Sequence, residues 1–326
     1  MKNVNIKSVV VVVVVVVVAL SLLATLSSCE NDYQDEKPSI AAIAVANANF
    51  STLEGAAIQG GVAGVLSNSN PNDPSGKYTV FAPTNDAFAK LGLVNSGSLG
   101  VLQNSFLTNT LLYHVSNGSL MANQIMAGGT SASALSINRR FISRGSDLYI
   151  NGSKIILTDV AASNGTVHAI DKVMIATGVN IVDSAILLKD SKVFKSPELT
   201  FLVQAVISSG LAPTLSNPAN NFTIYAPTDA AFKAAGFATI QDVANAPQAV
   251  LQQVLLNHAI SGGKFTSEQT ATTATTAGGG TLTYSPFLNG VFTVKSNGNT
   301  IPAKMVIPDI QCSNGVVHII DRVLLP

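Results

Sequence analysis

The chain holds four histidines, His114, His168, His258 and His318, each beside residues able to do acid–base or metal chemistry. "DVAASNGTVHAIDKVMI" at 159–175 and "DIQCSNGVVHIIDRVLL" at 309–325 agree at nine of seventeen positions. In both, the histidine follows an Asn-Gly turn and stands three residues before an aspartate, Asp171 or Asp321. His114 in "LLYHVSNG" and His258 in "LLNHAISG" form the second matched pair. A metal centre needs three or four clustered protein ligands. Two histidines 54 or 60 residues apart plus one aspartate have none of the spacings that mark such a centre. The favoured reading is structural. His168 and His318, flanked by Val and Ile, are expected at the core edge, bonded to backbone or to Asp. Asp159, Asp171, Asp309 and Asp321 are expected to cap turns and strand ends.

The elements that must position these groups occur twice. "YTVFAPTNDAF" at 78–88 matches "FTIYAPTDAAF" at 222–232 at six of eleven positions. Its alternating β-branched and aromatic residues predict a strand ending at Pro83 or Pro227. Thr84 and Thr228 are then helix N-caps, with acidic groups following where the helix dipole favours them. "PQAVLQQVLLNH" predicts a helix with Pro247 in its first turn and Val250, Leu251, Val254 and Leu255 on one stripe. Leu99 to Tyr113 is its counterpart. "DLYING", "SKIILTDV" and "TVHAIDKVMI" predict strands, the last two joined by a hairpin at Asn164-Gly165. The second copy is six residues longer between its His258 and Asp309 blocks, an excess placed in "TATTATTAGGGT" at 270–281, which reads as a loop. Helices first and hairpins last give an α+β domain rather than a βαβ unit. Each copy is long enough to own a core. Expected boundaries are 39–177 and 178–326, and the short connection between them implies that the two touch.

Composition narrows the function. The chain of 326 residues is 47% hydrophobic and 11% charged, with no Trp and zero formal charge. Arg139-Arg140 is its only adjacent basic pair, so nucleic acid is not an expected partner. No nucleophile elbow, phosphate loop, dinucleotide fingerprint, EF-hand loop or CxxC pair is present. No catalytic residue, metal or cofactor is assigned. Residues 1–28 read as a secretory signal: Lys2 and Lys7, an apolar run with ten consecutive valines, then Leu26-Ser27-Ser28-Cys29. Val9 to Leu26 also has about the minimum length to span a bilayer, which keeps a membrane anchor as the competing reading. The residues around Cys29 resemble a bacterial lipobox, which implies cleavage before Cys29 and its lipidation. The acidic run at 30–36 reads equally as a solvated tether or as a surface-export signal; 29–38 is the expected tether. Cys312, in a strand-like segment, is expected to be a small buried hydrophobe.

Together the Ala-Pro-Thr-[Asn/Asp]-x-Ala-Phe block, the Tyr-His or Asn-His helix end and the Asn-Gly-x-Val-His-x-Ile-Asp block resemble the fasciclin domain, in order and in both copies. The resemblance implies tandem α+β domains, each a strand wedge or small β-sandwich flanked by short helices. It implies adhesion rather than catalysis. The family's Tyr-His pair falls on Tyr113-His114, with Asn257-His258 at the second place, so these four are the adhesion candidates; the missing second Tyr weakens the carry-over there. A helix C-terminus whose histidine settles the dipole is the competing reading. The expectation is an exported lipoprotein of the cell envelope, on the outer membrane, facing either the surface or the periplasm. Its partners would be the membrane, through Cys29, and an extracellular protein or glycan. The alternatives are a small-ligand or polysaccharide-processing envelope protein and a passive spacer.

Overall fold

The computed structural model describes residues 37–190 and 199–326. The expected signal at 1–28, Cys29 and nearly all of the tether lie outside them. Among the described residues, no helix is long and apolar enough to cross a membrane.

The first copy runs α1 (Ile40–Ala46), α2 (Ser51–Gln59), α3 (Ala63–Ser67), β1 (Tyr78–Pro83), α4 (Asn85–Ala89), α5 (Asn104–Tyr113), then β2 (Val115–Asn117), β3 (Thr130–Ala132), β4 (Asn138–Arg144), β5 (Asp147–Ile150), β6 (Ser153–Ala162), β7 (Gly165–Ile170) and β8 (Ile175–Ala176). The second runs α6 (Ile181–Asp190), α7 (Thr200–Ser209), α8 (Ala212–Ser216), β9 (Phe222–Pro227), α9 (Asp229–Ala234), α10 (Ile240–Asn245), α11 (Gln248–Asn257), then β10 (Ala259–Ser261), β11 (Thr273–Thr275), β12 (Thr281–Tyr284), β13 (Thr293–Ser296), β14 (Ala303–Cys312) and β15 (Gly315–Ile320). Each copy is α+β, with seven strands in the order β2-β1-β7-β6-β5-β4-β3 or β10-β9-β15-β14-β13-β12-β11.

β1 lies parallel to β7, pairing Phe81 with His168, and β9 lies parallel to β15, pairing Tyr225 with His318. These central strands are buried on both faces, which explains their nearly continuous apolar run. Successive side chains point to opposite faces. Val80 and Ala82 therefore join the helix-side core with Phe50, Leu53 and Leu107. Phe81 joins the opposite core with Phe141, Ile150 and Ile170. The second copy repeats this division.

Thr84 and Thr228 cap α4 and α9, their hydroxyls accepting from the Ala87 and Ala231 amides at 3.3 and 3.1 Å. The long helices differ from expectation at their starts. Leu102 is extended and Asn95 caps a separate 3₁₀ turn at Ser96–Val101, so α5 begins only at Asn104. Pro247 is extended, with ψ of 130°, and precedes α11 rather than entering it. Leu251 and Leu255 are buried, whereas Val250 is exposed. The stretch expected as a loop contains β11, whose threonines pair in register with β12.

Candidate functional site: the paired histidines and the seam between copies

His114 and His258 sit at the C-caps of α5 and α11, buried. The Nε2 of His114 accepts the Met174 amide at 2.9 Å, so its Nδ1 carries the proton and donates to the Thr110 carbonyl at 2.7 Å. His258 does the same between the Leu324 amide at 2.8 Å and the Val254 carbonyl at 2.7 Å. Each ring ties a helix end to the segment leaving the last long strand of its copy. Burial pushes the pKa of both down to about 4, which keeps them neutral.

His168 and His318 fasten the hairpin. Their Nδ1 atoms accept from the Asp159 and Asp309 amides at 3.3 and 3.0 Å, and their Nε2–H groups donate to the Leu120 and Lys264 carbonyls at 2.8 and 3.0 Å. Asp159 and Asp309 occupy left-handed backbone at φ of 60° and 67°, where the β6–β7 and β14–β15 registers shift. The amide freed by each bulge is the one the imidazole accepts from. Asp171 and Asp321 accept from the Lys154 and Lys304 amides, each at 2.7 Å. Among the described residues, no three His, Cys, Asp or Glu gather as metal ligands would. Cys312 is buried and its thiol is pushed up to about 11 by burial.

The four adhesion candidates are all buried, so as folded they offer no surface to a partner. Asn257 donates to the Leu324 carbonyl at 2.9 Å, within its own copy. Tyr113 turns toward the other copy. Its hydroxyl donates to Gln311 Oε1 on β14 and accepts from Asn151 Nδ2 at 2.7 Å. Gln311 also donates to the Asn138 carbonyl at 2.9 Å.

This contact belongs to a seam. β8 of the first copy adds to the second sheet, running parallel to β14 with Ile175 opposite Ile310. Lys172 Nζ reaches Asp309 Oδ2 and the Gly290 carbonyl, both at 2.8 Å, and Thr266 Oγ1 at 3.2 Å. Lys172 and Asp309 are only 7% and 9% exposed. Burial works against ionisation of Asp309, but Lys172 and the Thr266 amide overcome it and hold the carboxyl below its usual range. Such a pair survives burial only when its remaining donors and acceptors are satisfied, as they are here. Gly152 is required beside it, since a Cβ there would run into the Asp309 carboxylate. At the outer edge Arg140 stacks on Phe265 at 4.5 Å and pairs with Glu268 at 3.0 Å. Arg144 lies 4.0 Å over Phe287 and donates to the Gln269 carbonyl at 2.8 Å.

A fasciclin-domain model matches residues 48–176 and again 197–326. The chain belongs to the fasciclin-domain family. The rabbit (Oryctolagus cuniculus) transforming growth factor-beta-induced protein ig-h3 is 30% identical over 257 residues, covering 77% of this chain and 35% of that protein. This chain thus spans about a third of that relative's length. Protein sll1483 of Synechocystis sp. is 36% identical over 142 residues, covering 43% of this chain and 75% of that one. The solved domain pair of the insect cell adhesion molecule Fasciclin I aligns at 18% identity and a TM-score of 0.37, over 77% of this chain and 89% of that one. Fasciclin domains are typical of adhesion and other extracellular binding proteins and are generally non-enzymatic.

Lys172, Asp309 as an ion-pair partner, Gln311, Arg140 and Arg144 escape sequence reasoning because they act between fasciclin domains. The available signal is divergence between the copies: Tyr113 against Asn257, and Ala161 against Gln311. The Arg139-Arg140 pair also divides. Arg139 is fully buried, donating to the Tyr113 carbonyl at 2.8 Å and lying 5.1 Å over Phe81. The register puts Leu282 in its place in the second fasciclin domain, so the same pocket is filled there by an apolar side chain.

Proposed function

We propose that this is a lipid-anchored envelope protein that binds cells, matrix or polysaccharide through its two fasciclin domains, without catalysis. Cys29 carries the lipid, the acidic run behind it is the tether, and the protein sits in the outer membrane facing outward. The observation that carries the binding role is the seam. A buried ion pair, a shared strand and two cation–π contacts make the fasciclin pair one body, so surfaces on both domains meet a partner in fixed geometry. Preorganisation of this kind saves ordering entropy on binding, and display on a membrane makes weak contacts multivalent. The contact surface lies on the exposed faces rather than on Tyr113, His114, Asn257 or His258.

The test uses residues 38–326, one compact unit that holds every core cluster, against matrix proteins, glycans and whole cells. Saturable binding to one class is expected; no binding to any would refute the reading. For the anchor, radiolabelled palmitate should enter the full chain and not a Cys29→Ala variant; absence of label from the full chain would refute lipidation.

A further inference from the structure

Each fasciclin domain carries an apolar hollow between its first helices and its sheet. In the first domain it encloses about 270 Å³, in the second about 50 Å³. The difference has a local cause. Asn164 and Asn314 accept from the Ile40 and Ile181 amides at 2.9 Å each, which aligns α1 with α6. Asn85 and Asp229 accept from the Thr52 and Phe201 amides, which aligns α2 with α7. On that alignment Ala41, Glu54 and Ala57 in the first hollow correspond to Val182, Val203 and Val206 in the second. Two valines fill in one domain what two alanines leave open in the other, and the third position exchanges an apolar Val203 for the carboxylate of Glu54.

We infer that the hollow of the first fasciclin domain is a binding site for a mostly aliphatic small molecule of about ten carbons that ends in a hydrogen-bond donor. An apolar cavity of about 150 Å³ takes up benzene, and 270 Å³ scales to a chain of that size. The walls are aliphatic, with Val80, Val115 and Val167 from the sheet and Leu53 and Leu111 from the helices. His114 also lines it, but both its ring nitrogens are engaged. Val45 and Ile58 line the hollow and reach solvent, 63% and 65% exposed. An apolar rim of this kind favours entry of a chain over entry of water. Among the described residues, Glu54 is the only carboxylate and Ser67 the only hydroxyl in the lining. A hydroxyl or ammonium head can donate to Glu54, whereas a fatty-acid carboxylate would meet its charge.

The experiment titrates decanol, decylamine and decanoate into residues 38–326, read by calorimetry and by the rise in melting temperature. Decanol and decylamine should bind saturably, one per chain, with decanoate at least tenfold weaker. The Ala41→Val/Ala57→Val variant, which imports the second domain's own residues, should lose at least tenfold in decanol affinity while keeping its melting temperature. Glu54→Gln changes a half-buried helix position and should bring decanoate to within about threefold of decanol, which keeps the test decisive if the double variant folds poorly. Absence of saturable binding would show a packing void and overturn the inference. So would decanol binding unchanged in the filled variant, or decanoate binding as tightly as decanol. A Cys29→Ser chain beginning at residue 29 should bind as residues 38–326 do. Loss of binding there would make the preceding segment the occupant and overturn the small-molecule assignment.

Discussion

Lowering the pH from 7.5 to 5 should destabilise both fasciclin domains through His114 and His258. Their folded pKa is about 4, depressed by burial, against about 6.5 in an unfolded chain. The unfolded chain therefore takes up these protons first, and stability falls as pH drops through the window from about 6.5 to 4. Above 6.5 the full stability is present; below 4 the loss is complete. At pH 5 each histidine removes about 1.5 pH units' worth, or about 2 kcal/mol at 1.36 kcal/mol per unit, and the pair about 4 kcal/mol. His168 and His318 are depressed in the same direction by burial and add to the loss. Protonation also puts a second ring N–H against the Met174 or Leu324 amide, so the fastening itself fails. The chain has no Trp, so far-UV circular dichroism in urea at pH 7.5, 6 and 5 is the assay. Equal stability at pH 7.5 and 5, or greater stability at 5, would refute the assignment of neutral, doubly bonded imidazoles.

Lys172→Met leaves Asp309 buried without its cation and should cost about 3–5 kcal/mol, measured by urea unfolding; adding Asp309→Asn should recover part of it. Tyr113→Phe removes two hydrogen bonds and should cost about 1–2 kcal/mol, with circular dichroism unchanged at 20 °C. Gly165→Ala drives a Cβ into the Tyr78 carbonyl, and Gly315→Ala into that of Phe222. Neither backbone can yield, so each should cost more than about 4 kcal/mol and appear as loss of soluble folded protein; near-native melting of either would contradict the β1–β7 and β9–β15 packing.

Where the chain's own pattern carries the signal, the sequence could be read. β-Branched and aromatic residues ending at a proline marked β1 and β9, Thr84 and Thr228 announced their caps, and the Asn-Gly turns placed the final hairpins. Repetition carried the largest part, because two copies agreeing at His168 and His318 point to a device rather than an accident. The helix starts at Asn104 and Gln248 were blurred by 3₁₀ and extended residues whose composition still suits a helix. The parallel pairing of β1 with β7 was hidden, since no local pattern records which distant strand lies alongside. The seam was hidden for the same reason. Lys172 looks like any surface lysine until Asp309, 137 residues away, is brought within 2.8 Å. Tyr113 drew attention through the family motif, but its burial against Gln311 depends on the second domain being there.

The seam is tested most directly by a distance between the domains. Val94→Cys and Ile301→Cys place spin labels on exposed positions, 68% and 55% accessible, one in each fasciclin domain, while Cys312 stays buried. Pulsed dipolar spectroscopy on residues 38–326 should give one narrow distance distribution, which Tyr113→Phe/Lys172→Met broadens. A broad distribution in the otherwise unaltered protein would contradict the single rigid body.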